Sequence, residues 1–318
     1  MVITVEKKVA YSSAILVLLY TYFLGSLFVG GDQEIYRKVY DFSGRGEFID
    51  AYRYYRSRIL SDEIGHFLIS WVASQFFEKD IFNALANSVL AYFSVRLFVK
   101  WGAHPFLAFA ISVFGYYHLA MYVSTERLKY ATIFFTIGAL YFPRYRFSYW
   151  MFLASIVTHL QYIIILAMVI SDRFTAVLFS VFVWLKVRVS DVIMIVMAIF
   201  LSVFLFLFFS DHIFSKISAY HKNFDLTEYL RIFLFFLGSF FYSRKKTQVF
   251  SSFAILFLMV GLVGGTRVNL FGYFAFLFFA LPIRKGLNFG VISTLLYFGF
   301  GWAQYAILVI NCGVNRPC

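Results

Sequence analysis

The chain has 318 residues, of which 62% are hydrophobic and only 14% are charged, and its formal net charge is +12. Soluble domains average about 25% charged residues, so this composition excludes an ordinary soluble enzyme. The Lys and Arg residues lie in short connectors between apolar runs, which indicates membrane topology and argues against nucleic acid as a partner.

The apolar runs predict the membrane-spanning segments in chain order. A membrane helix satisfies its own backbone hydrogen bonds, so each run is predicted as a helix rather than a strand. We expect an all-α, polytopic helical membrane protein of about 11 transmembrane helices, or about 10–12 if short segments are counted differently, in a single integral membrane domain over residues 1–318. The predicted spans are 9–29, 81–99, 105–123, 128–142, 148–170, 174–185, 192–210, 230–242, 248–263, 268–281 and 287–310.

The basic connectors predict the orientation of these spans. Positive charge favours the cytoplasmic side, which places the amino end inside and the carboxyl end outside. Residues 64–77 are predicted as a re-entrant or interfacial helix, with a full crossing as the alternative. Two outer loops result, 30–80 and 211–229. Cys312 and Cys318 lie in the outer tail, where they can form a disulfide or remain free thiols.

The first outer loop combines acidic, aromatic and basic residues, and it is the most polar stretch of the chain. Aromatic rings can stack on sugar rings, while charged side chains bind hydroxyl and phosphate groups. Glycines and Asp32 begin the loop, and Asp32 is a candidate catalytic carboxylate. The candidate substrate-binding residues here are Tyr36, Tyr40, Asp41, Arg53, Tyr54 and Arg56.

Polar residues at or inside predicted spans are candidate catalytic residues, because a charge in lipid is costly unless it has a role. Glu126 and Arg127 open one span, and Arg267 opens another after two glycines, a suitable cradle for phosphate. His159 lies in the middle of span 148–170. Each has a structural alternative. Glu126 and Arg127 can form a charge cluster at the membrane interface, Arg267 can be a snorkelling arginine, and His159 can be a neutral histidine hydrogen-bonded to a neighbouring helix. Further candidate binding residues are Lys129, Tyr130, His221 and Arg231.

These residue types suit glycosyl transfer from a lipid diphosphate. A carboxylate, Asp32 or Glu126, would deprotonate the acceptor hydroxyl. Two arginines, Arg127 and Arg267, would stabilise the departing diphosphate, so the sequence predicts neither a metal ion nor another cofactor. Glu126 can pair locally with Arg127 or with Tyr130, one helical turn on.

The order of these features resembles the Wzy-type O-antigen and EpsG-type polysaccharide polymerases. The resemblance rests on Gly30-Gly31-Asp32 with tyrosines at 36 and 40, on Thr125-Glu126-Arg127 with Ala131, on His159, and on Arg267. It implies a GT-C-like multi-span glycosyltransferase architecture. It also implies a polymerase in the bacterial inner (plasma) membrane, with its active site facing the periplasm, that joins undecaprenyl-diphosphate-linked oligosaccharides into O-antigen or a related surface polysaccharide. The implied partners are that substrate, membrane lipid and a chain-length regulator protein.

Two other functional classes fit the composition. One is another lipid-dependent glycosyltransferase such as a ligase, although the larger outer domain usual in a ligase is missing. The other is a transporter or flippase of lipid-linked oligosaccharide. The sequence shows neither paired inverted repeats nor broken helices, the two features typical of transporters.

Overall fold

The computed structural model describes residues 4–182 and 226–312, together with positions 189, 192, 193, 196, 200 and 203. All regular secondary structure in these residues is helical, which confirms the predicted helical class. The chain divides into two compact units, one of Met1–Tyr162 with Leu281–Cys318, and the other of Ile163–Ala280. A single integral membrane domain remains a prediction.

The first unit contains most of the polar residues of interest. Its 3-10 turn, Ile283–Gly286, leads into the last helix, α14 (Phe289–Cys312). Its earlier helices are α1 (Val5–Leu27), α2 (Asp32–Ser43), α3 (Phe48–Ile59), α4 (Ile64–Ser74), α5 (Lys79–Lys100), α6 (Pro105–Phe114), α7 (Tyr116–Val123), α8 (Glu126–Tyr141) and α9 (Phe147–Thr158).

The second unit is built from four helices, as far as the structure describes it. Helix α10 begins at the boundary residue Tyr162 and runs into this unit. The four are α10 (Tyr162–Phe182), α11 (Leu226–Tyr242), α12 (Lys246–Val263) and α13 (Gly265–Ala280).

Among the described residues, three helical segments are long and apolar enough to cross a membrane: Val5–Leu27, Lys79–Lys100 and Ile283–Cys312. Helices α6 and α7 would make a fourth span together, although they meet at a bend of 50°. These segments agree with a membrane protein. The larger number of spans stays a prediction.

The structure differs from the predicted spans at two helix breaks. Span 105–123 is interrupted at Gly115, where a Cβ atom would lie 2.4 Å from the Ile111 carbonyl oxygen, so only glycine fits. Span 148–170 is interrupted between Thr158 and Tyr162, because His159 adopts an extended backbone (φ −152°, ψ 112°).

Two predicted connectors also differ. Residues 171–173 continue α10 instead of ending a span. Within the predicted outer loop 30–80, α4 agrees with the helix predicted over 64–77, whereas α2 and α3 were not predicted. The three helices pack around Val39, Ala51, Tyr55 and Phe67. Most of span 192–210, the loop residues 211–225 with His221, and the tail with Cys318 lie outside the described residues.

An ion pair fixes this three-helix segment to the amino end of α5. The two Nη atoms of Arg37 contact the Asp80 carboxylate at 2.7 and 3.0 Å, and Nη2 also donates to the Gly25 carbonyl at 2.7 Å. A two-pronged guanidinium–carboxylate contact has a defined geometry. The start of α5 is therefore held beside α2.

Candidate functional site

The first turn of α8 is the centre of the candidate site, because its first two side chains enter two buried polar clusters. Glu126 contacts the amino end of α5, and Arg127 contacts the residue that precedes α4. The "Glu126 cluster" comprises Glu126, Lys79, Asn83, Gln33, Lys129 and Tyr130. The "Arg127 cluster" comprises Arg127, Glu63, His159, Tyr36 and Gln161.

The Glu126 cluster is built on a buried ion pair. Lys79 Nζ binds Glu126 Oε1, and the two side chains are only 6% and 5% exposed. Asn83 Nδ2 donates to the same oxygen at 3.1 Å, and Lys79 also donates to Gln33 Oε1 at 2.7 Å. Glu126 is therefore paired with α5 rather than locally with Arg127 or Tyr130.

Lys129 and Tyr130 complete the Glu126 cluster one turn along α8. Lys129 Nζ and Tyr130 Oη donate to Asn83 Oδ1 at 3.0 and 2.7 Å. Lys129 is fully buried. Both side chains therefore connect α8 to Asn83 of α5.

The Arg127 cluster places one carboxylate between two nitrogen groups. Glu63 Oε2 accepts from Arg127 Nη1 at 2.8 Å, and Glu63 Oε1 lies 2.6 Å from His159 Nδ1. The Leu160 backbone N–H also donates to Oε1, at 3.3 Å. Arg127 Nε donates to Tyr36 Oη at 3.0 Å, which brings α2 into the cluster.

The break between α9 and α10 aims His159 at Glu63. An ionised carboxylate only accepts hydrogen bonds, so His159 Nδ1 carries the hydrogen in this contact. Its Nε2 lies 3.1 Å from Gln161 Oε1 across the break. A Cβ atom on Gly65 would lie 2.8 Å from Thr158 N and Cα, so glycine lets α4 approach the end of α9.

Opposing effects set the pKa values of the two buried carboxyls, which lie outside the membrane-length helices. Burial raises the pKa of Glu63, but the charges and hydrogen bonds of His159 and Arg127 outweigh burial and leave that pKa well below its ordinary value. Burial likewise raises the pKa of Glu126, and Lys79 and Lys129 overcome it to give a net lowering. Both groups are therefore carboxylates at neutral pH.

Six residues proposed from the sequence lie in these two clusters. Each contacts a cluster partner through a side-chain atom. The six are Tyr36, Glu126, Arg127, Lys129, Tyr130 and His159.

The remaining candidates of segment 30–80 lie outside both clusters. Asp32 and Asp41 are exposed on α2, and Tyr40 donates to the Phe77 carbonyl at 2.9 Å. Arg53 and Arg56 are exposed on α3, where they lie near Asp50 and Asp62. Tyr54 stacks on Phe42 with ring centroids 4.3 Å apart.

Arg231 and Arg267 lie in the second unit, where Arg231 is exposed and Arg267 is partly buried. The amino end of α13 carries a carboxylate from its own unit, because Glu228 Oε2 accepts from the Gly265 N–H at 2.6 Å. In this structure the position expected to cradle phosphate therefore holds a side-chain anion instead.

Four residues of the two clusters are not among those predicted from the sequence: Glu63, Lys79, Asn83 and Gln33. One signal was available for α5, because Lys79, Asn83 and Asn87 recur every four residues on an apolar helix and so share one face. No pattern in the sequence singles out Glu63, which lies 64 positions before Arg127.

The two clusters present ammonium, guanidinium and imidazole groups that suit an anion. Within residues 4–182 and 226–312, no group of three or more His, Cys, Asp or Glu side chains is placed to hold a metal ion. Comparisons of the chain with protein-family models, with curated proteins and with solved structures give no match.

Proposed function

We propose that this chain is a glycosyltransferase of the bacterial inner membrane, with its site facing the periplasm. It would join undecaprenyl-diphosphate-linked oligosaccharides into O-antigen or a related surface polysaccharide. The observation that carries the proposal is the Arg127 cluster, where an arginine, a carboxylate and a histidine from three chain segments meet at helix ends. Buried charges in a largely apolar chain are costly and therefore favour a functional role.

In this proposal Arg127 binds the diphosphate of the donor lipid. A guanidinium offers several N–H groups in one plane and matches phosphate oxygens in pairs. Arg127 already makes one hydrogen bond to neutral Tyr36 and one to Glu63. The diphosphate would replace Glu63 as the anionic partner and would receive the negative charge that develops when the sugar departs.

Glu63, rather than Asp32 or Glu126, is the carboxylate assigned to the acceptor. While Arg127 and His159 both hold Glu63, its lowered pKa makes it a weak base. Once the diphosphate takes over Arg127, Glu63 loses one positive partner and its proton affinity rises.

The proposed reaction exchanges one bond at the donor sugar for another. The carboxylate of Glu63 removes the proton of the acceptor hydroxyl, and the acceptor oxygen forms a bond to the anomeric carbon of the donor sugar. The bond from that carbon to the phosphate oxygen breaks, and undecaprenyl diphosphate leaves as an anion. His159 keeps Glu63 oriented through its Nδ1–H, which makes it a positioning residue.

Arg127→Ala tests the proposal, with Arg127→Lys as a second variant that keeps the charge but loses the planar fork. We expect polymer formation to fall roughly 10²–10³-fold for Arg127→Ala, because a donor to developing charge is lost. The measurement is the ladder of surface polysaccharide on a gel, with protein in the membrane fraction quantified in parallel. Full-length polymer from cells that carry Arg127→Ala would contradict the proposal.

Arg45→Ala is the matched control for that experiment. Arg45 is an exposed arginine of the same unit, in the connector between α2 and α3. Substitutions of exposed side chains away from buried contacts usually have small effects, so we expect an unchanged ladder. A shortened ladder in both variants would point to general disruption of the protein.

A second candidate is a transporter or flippase of lipid-linked oligosaccharide. It is favoured by the helix breaks at Gly115 and at 159–161, since interrupted helices often mark transport sites. The location of lipid-linked repeat units in cells that lack the chain separates the two functions. Loss of a polymerase leaves single units on the outer side, whereas loss of a flippase traps them inside.

A further inference from the structure

His66 lies on the buried face of α4 and is enclosed by tyrosine rings. It is only 1% exposed. The ring centroids of Tyr36, Tyr55 and Tyr130 lie 5.6, 5.7 and 5.7 Å from the centroid of its imidazole. The imidazole is therefore shielded from bulk solvent.

Its Nδ1 atom belongs to a short hydrogen-bonded chain. Tyr55 Oη lies 3.0 Å from His66 Nδ1 and 3.4 Å from the Glu63 carbonyl oxygen. A carbonyl oxygen only accepts, so the single hydroxyl hydrogen of Tyr55 makes the contact with Glu63. Both contacts form together when Nδ1 donates to Tyr55, and this leaves Nε2 with a lone pair.

The Nε2 atom is buried and has no hydrogen-bond partner among the described residues. Most buried side-chain polar atoms are hydrogen-bonded, and an unpaired one costs roughly 1–3 kcal/mol. A lone pair of this kind is satisfied by a group that brings its own O–H or N–H.

The imidazole lies within electrostatic range of both clusters. Charged groups that act on it are Glu63 and Arg127 of the Arg127 cluster, and Lys79 and Glu126 of the Glu126 cluster. A ligand at Nε2 would therefore lie in the electrostatic field of the proposed reaction centre.

We propose that His66 Nε2 is a binding point for one hydroxyl group, which donates its hydrogen to the imidazole lone pair. The ligand is a single oxygen group, because Nε2 is the one ring nitrogen of His66 that lacks a partner among the described residues. That group is either a water molecule or a hydroxyl of the acceptor sugar. The identification of the ligand as an acceptor sugar rests on the proposed function, whereas the existence of the binding point does not.

The test compares His66→Gln with His66→Asn, both in a Tyr55→Phe background. The amide of Gln reaches the position of Nε2, whereas the amide of Asn reaches only that of Nδ1. Tyr55→Phe removes the Nδ1 partner, so the two variants differ mainly in their reach to the proposed ligand. Two quantities are measured on the full chain in detergent: the thermal midpoint, and the KM for a lipid-linked acceptor.

If the ligand is water, we expect the Asn variant to unfold about 2–4 °C below the Gln variant, with equal KM values. If it is an acceptor hydroxyl, we expect equal midpoints and a KM up to about tenfold higher for Asn. Equal midpoints together with equal KM values, or a better Asn variant, would overturn the proposal. Failure of the proposed function is distinguished by a separate result, unchanged polymer in cells that carry Arg127→Ala. In that case the difference in thermal midpoint between the two His66 variants still tests the binding point.

Discussion

The starts of α8 and α13 each carry an arginine, but their surroundings differ. Each helix begins after a short connector and carries an arginine in its first turn, Arg127 in α8 and Arg267 in α13. In α8 a distant carboxylate, Glu63, binds the guanidinium itself. In α13 the carboxylate of Glu228 binds the backbone N–H of Gly265 instead. The comparison shows that the partner carboxylate, rather than the arginine, decides what each helix start can bind.

The largest expected effect comes from breaking the buried pair at the start of α8. Removing one partner leaves an uncompensated buried charge, so Lys79→Met or Glu126→Gln should each lower the free energy of unfolding by about 3–5 kcal/mol. The double variant Lys79→Met/Glu126→Gln should lower the free energy of unfolding by clearly less than the sum of the two single losses. Chemical denaturation of the four proteins in detergent measures the coupling, and additive losses would contradict a direct pair.

An intermediate effect is expected from Gly65→Ala, which acts on the approach of α4 to α9. The added methyl group meets Thr158 backbone atoms at 2.8 Å, and such overpacking typically costs about 1–3 kcal/mol. We expect a lower thermal midpoint and weaker polymer formation, because Glu63 and His159 are moved apart. Gly25→Ala in α1 is the matched control.

Nothing lies within 4 Å of a Cβ atom at Gly25, so that control should be neutral or slightly stabilising. Equal behaviour of the two glycine variants would show that the contact between α4 and α9 does not constrain Glu63.

The smallest effect is expected at the start of α13. Glu228→Gln removes the negative charge from the helix amino end while keeping the shape of the side chain. Caps of this kind contribute about 0.5–2 kcal/mol, so the thermal midpoint should fall by a few degrees. Inorganic phosphate should then raise the midpoint of this variant more than that of the unchanged chain. An equal response of the two proteins to phosphate would contradict the claim that Glu228 occupies an anion-binding position at the start of α13.

The sequence correctly predicted the helical class and most helix positions. Apolar runs of the right length dictated α1, α5 and α14, because hydropathy is a local property of the chain. Breaks inside such runs were missed at Gly115 and at His159, because there a steric contact and a buried polar partner outweigh hydropathy.

For the candidate site, the sequence indicated residues but not their partners. Glu126, Arg127 and His159 were noticed because charged or polar groups stand out at apolar helix starts and interiors. Glu63 and Lys79 were not noticed, since each looks like an ordinary charged residue at the edge of a polar stretch. The partners in these contacts are 47, 64 and 96 positions apart in the sequence, so they meet only when the helices pack.

The amino-acid order by itself determined that this chain forms apolar helices with few charges, because the polar backbone of a chain with mostly hydrophobic side chains must satisfy its hydrogen bonds internally in lipid. Only the tertiary structure decided which of those charges neutralise one another. Burial removes water from a charged side chain, and the group that replaces the water comes from a helix that is remote in sequence but adjacent in space.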